Sequence, residues 1–415
     1  MMIQRVLQRA ARIVQQTTMT TAVLTENWQH RRAAPLDLVI LDDIFPHLLS
    51  AFRIAEYNTY LQEFPQSRVY STGTAMRLIN ESRRLTQVIA EYEQTYPQFA
   101  RRVAPFHPMR QVHARIAYMI FLNNVACFLP FLEQQQLPFV FTLYPGGGFA
   151  LNQPDVDARL KQVCASPYLR QIITTQTVTH EYLLQHGFAS PEQVTFIYGG
   201  VLPDWWVQPD MPKRYYPHNK PTFDICFVAY KYTKQGRDKG YDTFVAVAIQ
   251  LARKYPDMRF HVVGTFSAAD VDVQELGSRI TFYGPQQTPF FDQFYADMDI
   301  ILSPNVPFVL APGAFDGFPT GSCIEAGLHG VAVFCTDILS MNRTFRDGVD
   351  LVLIEPEVTA CVAQIERYIA NPAHLYQLAA QGQRTFRDVF ALQTQMQPRL
   401  ALIRRMIEKT KNTAL

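Results

Sequence analysis

Between Leu202 and Pro221 the chain holds Pro203, Pro209, Pro212, Pro217 and Pro221 among polar and aromatic residues, the composition of a linker. On either side of it, short apolar runs alternate with helical stretches. Before it come Asp37–Asp42, Ser67–Ser71, Arg115–Phe121, Phe139–Leu143, Ile172–Thr177 and Val194–Tyr198. After it come Asp224–Tyr230, Arg259–Gly264, Arg279–Gly284, Asp299–Pro304 and Val331–Cys335. Apolar runs of this length, flanked by polar residues, are what parallel strands buried on both faces require. Strand followed by helix, repeated in two series, predicts an α/β protein with two Rossmann-like domains, each around one parallel sheet. The 415 residues are too many for one ordinary core and suit two of them. The expected division is residues 1–203, a linker over 204–221, residues 222–390, and a final helix over 391–415 that crosses back to the first domain.

Helices are expected over Pro46–Phe64, Arg77–Tyr96, Asn123–Gln136, Tyr241–Tyr255, Val358–Ala370 and His374–Lys409. Asp42 and Asp43 end the first strand, where ligands gather in open sheets; they either touch an acceptor hydroxyl or cap the next helix. A net charge of +2 leaves no cationic surplus to neutralise a run of phosphates, which argues against a nucleic-acid partner. Six scattered cysteines without a C-x-x-C pair suit a reducing cytosol. No run approaches the roughly 18 apolar residues of a spanning helix, so a soluble protein is expected. Met1–Gln16 reads as a helix with Arg5, Arg9 and Arg12 on one side, either docked on the first domain or lying at a membrane surface.

The stretch Asp316–Asp337 carries the clearest chemistry. It reads as loop, helix, turn and strand, with Pro319 suited to a first helical turn and Gly330 to the end. Unpaired N–H groups at Thr320, Gly321 and Ser322 form a phosphate cradle, and Gly321 has no side chain to obstruct a ligand. Glu325, about one and a half turns on, can accept ribose hydroxyls, and Asp316 can hold a hydroxyl of a second sugar. Those features together describe a nucleotide sugar.

This segment resembles the paired-acid motif of the retaining GT-B glycosyltransferases, family 4 in particular, where two Glu separated by seven residues precede a Gly-terminated helix and a strand. Here the first acid is Asp316, and eight residues separate it from Glu325. In that family an Arg and a later Lys-Gly, on the loop after the second domain's first strand, bind the donor diphosphate. Lys239-Gly240 matches the second half. Lys231 is the nearest counterpart of the Arg, with Lys234 and Arg237 as alternatives. Gly264 and Gly284, each ending a strand, fall where the family's backbone lines the base.

In the first domain the family's strand-end His is replaced by Tyr144, which leads into the turn Gly146-Gly147-Gly148 of a donor or acceptor loop. Asp297-Met-Asp299 superficially matches a D-x-D metal motif, but Asp299 opens a strand as the family's Ala-Asp-Ile step does, so neither metal nor other cofactor is expected.

The resemblance implies a GT-B fold, two domains facing across a cleft. It also implies a metal-independent, retaining hexosyltransferase-type enzyme of glycan or polysaccharide synthesis, cytoplasmic or at the inner face of the membrane. Donor binding falls to Glu325, Gly317, Phe318, Pro319, Thr320, Gly321 and Ser322, with Asp316, Lys239 and Lys231 at the reacting bond. The acceptor is a glycan, a lipid-linked sugar or a small molecule. Two alternatives stay open: a non-catalytic nucleotide-sugar-binding subunit, and a GT-B sugar epimerase.

Overall fold

Seven strands make the first sheet: β1 (Leu36–Asp42), β2 (Ser67–Ser71), β3 (Val103–Pro105), β4 (Ala114–Ile120), β5 (Phe139–Leu143), β6 (Leu169–Thr174) and β7 (Val194–Phe196). Their order is β3-β2-β1-β4-β5-β6-β7, all parallel. The second sheet is β10-β9-β8-β11-β12-β13, also parallel, from β8 (Phe223–Val228), β9 (Met258–Val263), β10 (Ile280–Gly284), β11 (Ile300–Ser303), β12 (Ala332–Cys335) and β13 (Val352–Leu353). The computed structural model describes residues 34–413 apart from 49, 80 and 207–211, together with 21, 23, 24 and 27. The basic helix expected over Met1–Gln16 lies outside the described residues.

Every residue of β5 is buried, as a strand covered by helices on both faces must be. The covering helices of the first sheet include α1 (Ala51–Glu63), α2 (Leu85–Thr95), α3 (Leu122–Gln134), α4 (Pro154–Cys164) and α5 (Thr177–Gln185). Those of the second include α6 (Tyr241–Lys254), α7 (Thr288–Ala296), α8 (Gly321–Leu328), α9 (Val358–Ile369) and α10 (Pro372–Phe390). Strand order reverses at β1/β4 and at β8/β11, and the loops leaving the carboxyl ends there open the crevice that such sheets offer to ligands.

Several expected boundaries move, each for a local reason. Asp42 is fully buried; its carboxylate accepts from the N–H of Ile44 (2.8 Å) and Phe45 (2.6 Å), from Arg53 (3.0 Å) and from the Tyr57 hydroxyl (2.8 Å). That ties residues 43–47 into a turn and delays α1 to Ala51. It also makes Asp42 structural, so of the Asp42–Asp43 pair only Asp43 keeps partial exposure. Residues Thr74–Ile79 form a 3-10 turn, and the helix expected from Arg77 begins at Leu85.

The long last helix is broken at Ala391, whose extended backbone (φ −52°, ψ 134°) separates α10 from α11 (Leu392–Thr413). After the break the chain leaves the second domain, and α11 packs Met396, Leu402, Ile403, Met406 and Ile407 with Ile40, Tyr60 and Tyr118 of the first. Beneath it Arg399, with no exposed surface, lies among Glu56, Tyr118 and Tyr144, and its charge opposes the burial that pushes the Glu56 carboxyl above its ordinary range. Among the described residues no helix is long and apolar enough to cross a membrane.

Candidate functional site

A cavity of about 990 Å³ opens at the carboxyl ends of β8 and β9. It is lined by Val228, Ala229, Val263 and Gly264 of the two strands and their ends, by Pro285, Gln286, Gln287 and Phe291, and by Thr320, Gly321, Ser322 and Glu325 at and in α8. Lys239, Asn305 and Asp316 also line it, as do Trp206, Tyr230 and Tyr232. Gly264 allows β9 to close on β8: at φ +130° a side-chain carbon there would sit 1.8 Å from the Ala229 carbonyl oxygen.

Helix α8 starts two residues later than expected, at Gly321. Thr320 is its cap, in extended conformation (φ −66°, ψ 159°) with no side-chain hydrogen bond to the helix, so Pro319 stands outside the first turn. The Phe318–Pro319 peptide before it is cis. The N–H groups without helical partners therefore begin at Gly321. A side-chain carbon built on Gly321 meets nothing within 4 Å, so the space in front of this turn is empty of protein. Anions favour such a place because the peptide dipoles point their positive end at it.

Glu325 is only 7% exposed yet lines the cavity. Burial pushes its carboxyl up to about 8, helped by the nearby Asp292 charge and opposed by the Tyr295 hydroxyl, which donates to Oε2 at 3.5 Å. Tyr295 is fully buried, its ring 5.2 Å from that of His329, and His329 Nδ1 donates to the Glu325 carbonyl at 2.7 Å. Hydroxyl groups that donate to such a carboxyl favour its charged form.

Lys239 Nζ donates to Asp316 Oδ2 at 2.5 Å, with Asn305 Nδ2 donating to the same oxygen at 3.3 Å. The lysine also stands 5.3 Å from the centre of the Tyr232 ring. Asp316, Thr320 and Asn305 further line a side hollow of about 40 Å³, shared with Gly317 and Phe318. Phe318 is fixed from the opposite domain by Gln176, whose amide accepts from the Phe318 N–H (3.2 Å) and donates to its carbonyl (3.4 Å).

The remaining candidates lie elsewhere. Lys231 does not line the cavity; its Nζ donates to Asp270 at 2.7 Å. Lys234 and Arg237 border a separate hollow beside Val309. Of the four cations on this loop, Lys239 alone lines the 990 Å³ cavity. Gly284 is outside the lining, although its neighbour Pro285 is in it.

Tyr144 turns away, its hydroxyl donating to Glu56 at 3.3 Å. Gly147 and Gly148 serve packing: side-chain carbons there would fall 2.3 Å from Phe121 and 1.9 Å from Asn123, whereas Gly146 faces open space. Asp297 pairs with Arg214, and Asp299 accepts from Lys220 at 2.6 Å and from Tyr376 at 2.9 Å. Sequence reasoning missed Gln176, Asn305 and Tyr295. Each acts through contacts between distant segments, and none belongs to a local pattern.

Residues 222–371 match the family described as glycosyl transferases group 1. Among curated proteins no sequence matches. Solved structures do. Sucrose-phosphate synthase (tll1590) from Thermosynechococcus elongatus superposes with a TM-score of 0.61 at 14% identity, over 90% of this chain and 100% of that one. A glycosyltransferase from Rickettsia africae ESF-5 gives 0.61 at 16%, over 89% and 99%. Anabaena Alr3699/HepE, solved in complex with UDP-glucose, gives 0.58 at 14%, over 91% and 99%. At such identities the likeness speaks for the fold. The chain has the GT-B fold, and within it residues 222–371 match the glycosyl transferases group 1.

Proposed function

We propose that the protein moves a sugar from a nucleoside diphosphate sugar to an acceptor hydroxyl, with retention at the anomeric carbon, in glycan or polysaccharide synthesis. The observation that carries this reading is a single one. Lys239, the open first turn of α8 and Glu325 all face one cavity, so a cation, a set of free N–H groups and a hydroxyl acceptor are offered to the same molecule. HepE, of like fold, has been solved with UDP-glucose, a ligand of this class.

In the proposed reaction the bond from the anomeric carbon to the phosphate oxygen breaks, and the acceptor oxygen bonds to that carbon on the same face. The acceptor's proton passes to the departing phosphate. Negative charge grows on that phosphate, where Lys239 and the α8 dipoles stand ready and need no reorganisation. Asp316 positions the donor sugar and Glu325 holds the ribose. The scheme calls on no metal.

A second reading, binding without transfer, is favoured by Tyr144. It occupies the place of the family's His and points to Glu56 instead of the cavity. One experiment separates the two. Nucleoside diphosphates and their sugars are screened by thermal shift on wild type, Glu325→Ala and Lys239→Ala, and preferred donors are then incubated with an acceptor panel, with products read by NMR. A donor-specific shift lost in both variants supports the site. A new glycosidic bond of unchanged anomeric configuration supports transfer; binding with neither transfer nor hydrolysis supports the second reading.

A further inference from the structure

Next to the cavity, the loop from Val306 to Ala314 pushes apolar side chains into solvent. Phe308, Val309 and Leu310 are 45%, 41% and 50% exposed, and Ala311 and Pro312 continue the exposed run. The loop is held in that shape. The Phe308 N–H donates to the Ala314 carbonyl at 2.7 Å, the Ala314 N–H to Ala311 at 3.0 Å, and the Val306 N–H to Asp238 at 3.1 Å. From the first domain the Leu151 N–H donates to the Gly313 carbonyl at 2.9 Å, closing the base. Tied at both ends, the tip is not free to fold its apolar residues inward, and a contiguous apolar patch kept in water is a mark of an interaction site.

The charges beside the tip say what kind. Val309 shares a hollow of about 350 Å³ with Lys234, Arg237, Thr233 and Gln235, and no acid is in its lining. Both cations are exposed, Arg237 pairing with Asp242 at 3.6 Å. Tyr232, 61% exposed, stands on the same strand-to-helix segment. An apolar tip flanked by cations and an aromatic ring matches the boundary between acyl chains and anionic headgroups.

We propose that the 306–314 loop, with Lys234 and Arg237, docks the protein on an anionic lipid surface. The docking does not depend on the transfer reaction and brings the mouth of the cavity to that surface.

The test floats the full chain with vesicles of phosphatidylcholine alone and of phosphatidylcholine carrying roughly one-third phosphatidylglycerol. Flotation is expected only with the second, reduced about fivefold by either Lys234→Gln or Arg237→Gln. It should fall at least about tenfold in the Phe308→Ser/Leu310→Ser double variant, whose thermal unfolding should match wild type because both side chains are exposed. No flotation on anionic vesicles overturns the proposal, and so does equal flotation on neutral ones. Undiminished binding by the double variant also overturns it, moving the contact to another part of the chain. A wild-type dimer that the double variant dissolves, seen by light scattering without lipid, would assign the tip to a second copy.

Discussion

Gln176 and Phe318 are 142 positions apart, in different domains, and one buried side-chain amide holds both backbone groups of the other. Phe318 sits two residues before the cap of α8, between Asp316 and the first turn of that helix. The first domain thus sets the geometry of a loop in the second. Replacing Gln176 by Met keeps bulk but removes both bonds, together worth on the order of 2 kcal/mol. Turnover with any donor found should fall roughly tenfold or more while nucleoside diphosphate affinity stays within about threefold. Steady-state kinetics and calorimetry check this; a lowered unfolding temperature with unchanged kcat would reduce Gln176 to a packing role.

Asp316 pairs with Lys239. A diphosphate must share the lysine with that carboxylate and is repelled by it. Asp316→Asn should therefore tighten binding of a nucleoside diphosphate about threefold to tenfold, the scale of a partly exposed charge pair. Donor turnover should fall in the same variant. Weaker diphosphate binding would mean that the acid serves mainly to aim the lysine.

Glu325 gives a pH signature. Its carboxyl is raised from an ordinary 4.5 to about 8 by burial. Between those values the unfolded chain has released a proton that the folded chain keeps, so stability declines as pH rises through that window. The contribution is fully present below about 4.5 and lost above about 8. Glu325→Gln should flatten the decline. If ribose hydroxyls bind the ionised form, donor binding near pH 7 releases a proton, measurable by calorimetry in buffers of different ionisation heat and absent in the variant.

Arg399→Ala removes the cation from beside Glu56 inside a fully buried cluster. Stranding a buried charge costs about 3–5 kcal/mol, so the urea midpoint should drop sharply. The double variant Glu56→Gln/Arg399→Met should recover much of the loss, since it strands nothing. An additive double variant would show that the two groups do not interact.

The strands were legible because burial on both faces leaves a continuous apolar run, as in Phe139–Leu143. Val103–Pro105 was not, since three residues are too few to show a pattern. The break at Ala391 was hidden because no Pro or Gly marks it; the switch from one packing surface to another decides it. Near the cavity, a helix opening close to Gly321 and the Lys239-Gly240 step were readable locally. Choosing a second cation among Lys231, Lys234 and Arg237 was not, because Lys231 is captured by Asp270, 39 residues away.

The chain's return through α11 has a consequence for biosynthesis. The first sheet is complete in sequence by Phe196, yet the groove over Ile40, Tyr60 and Tyr118 is filled by residues made some two hundred positions later. During translation that half must wait, with an apolar trough uncovered and Glu56 without Arg399, until residues 392–413 leave the ribosome.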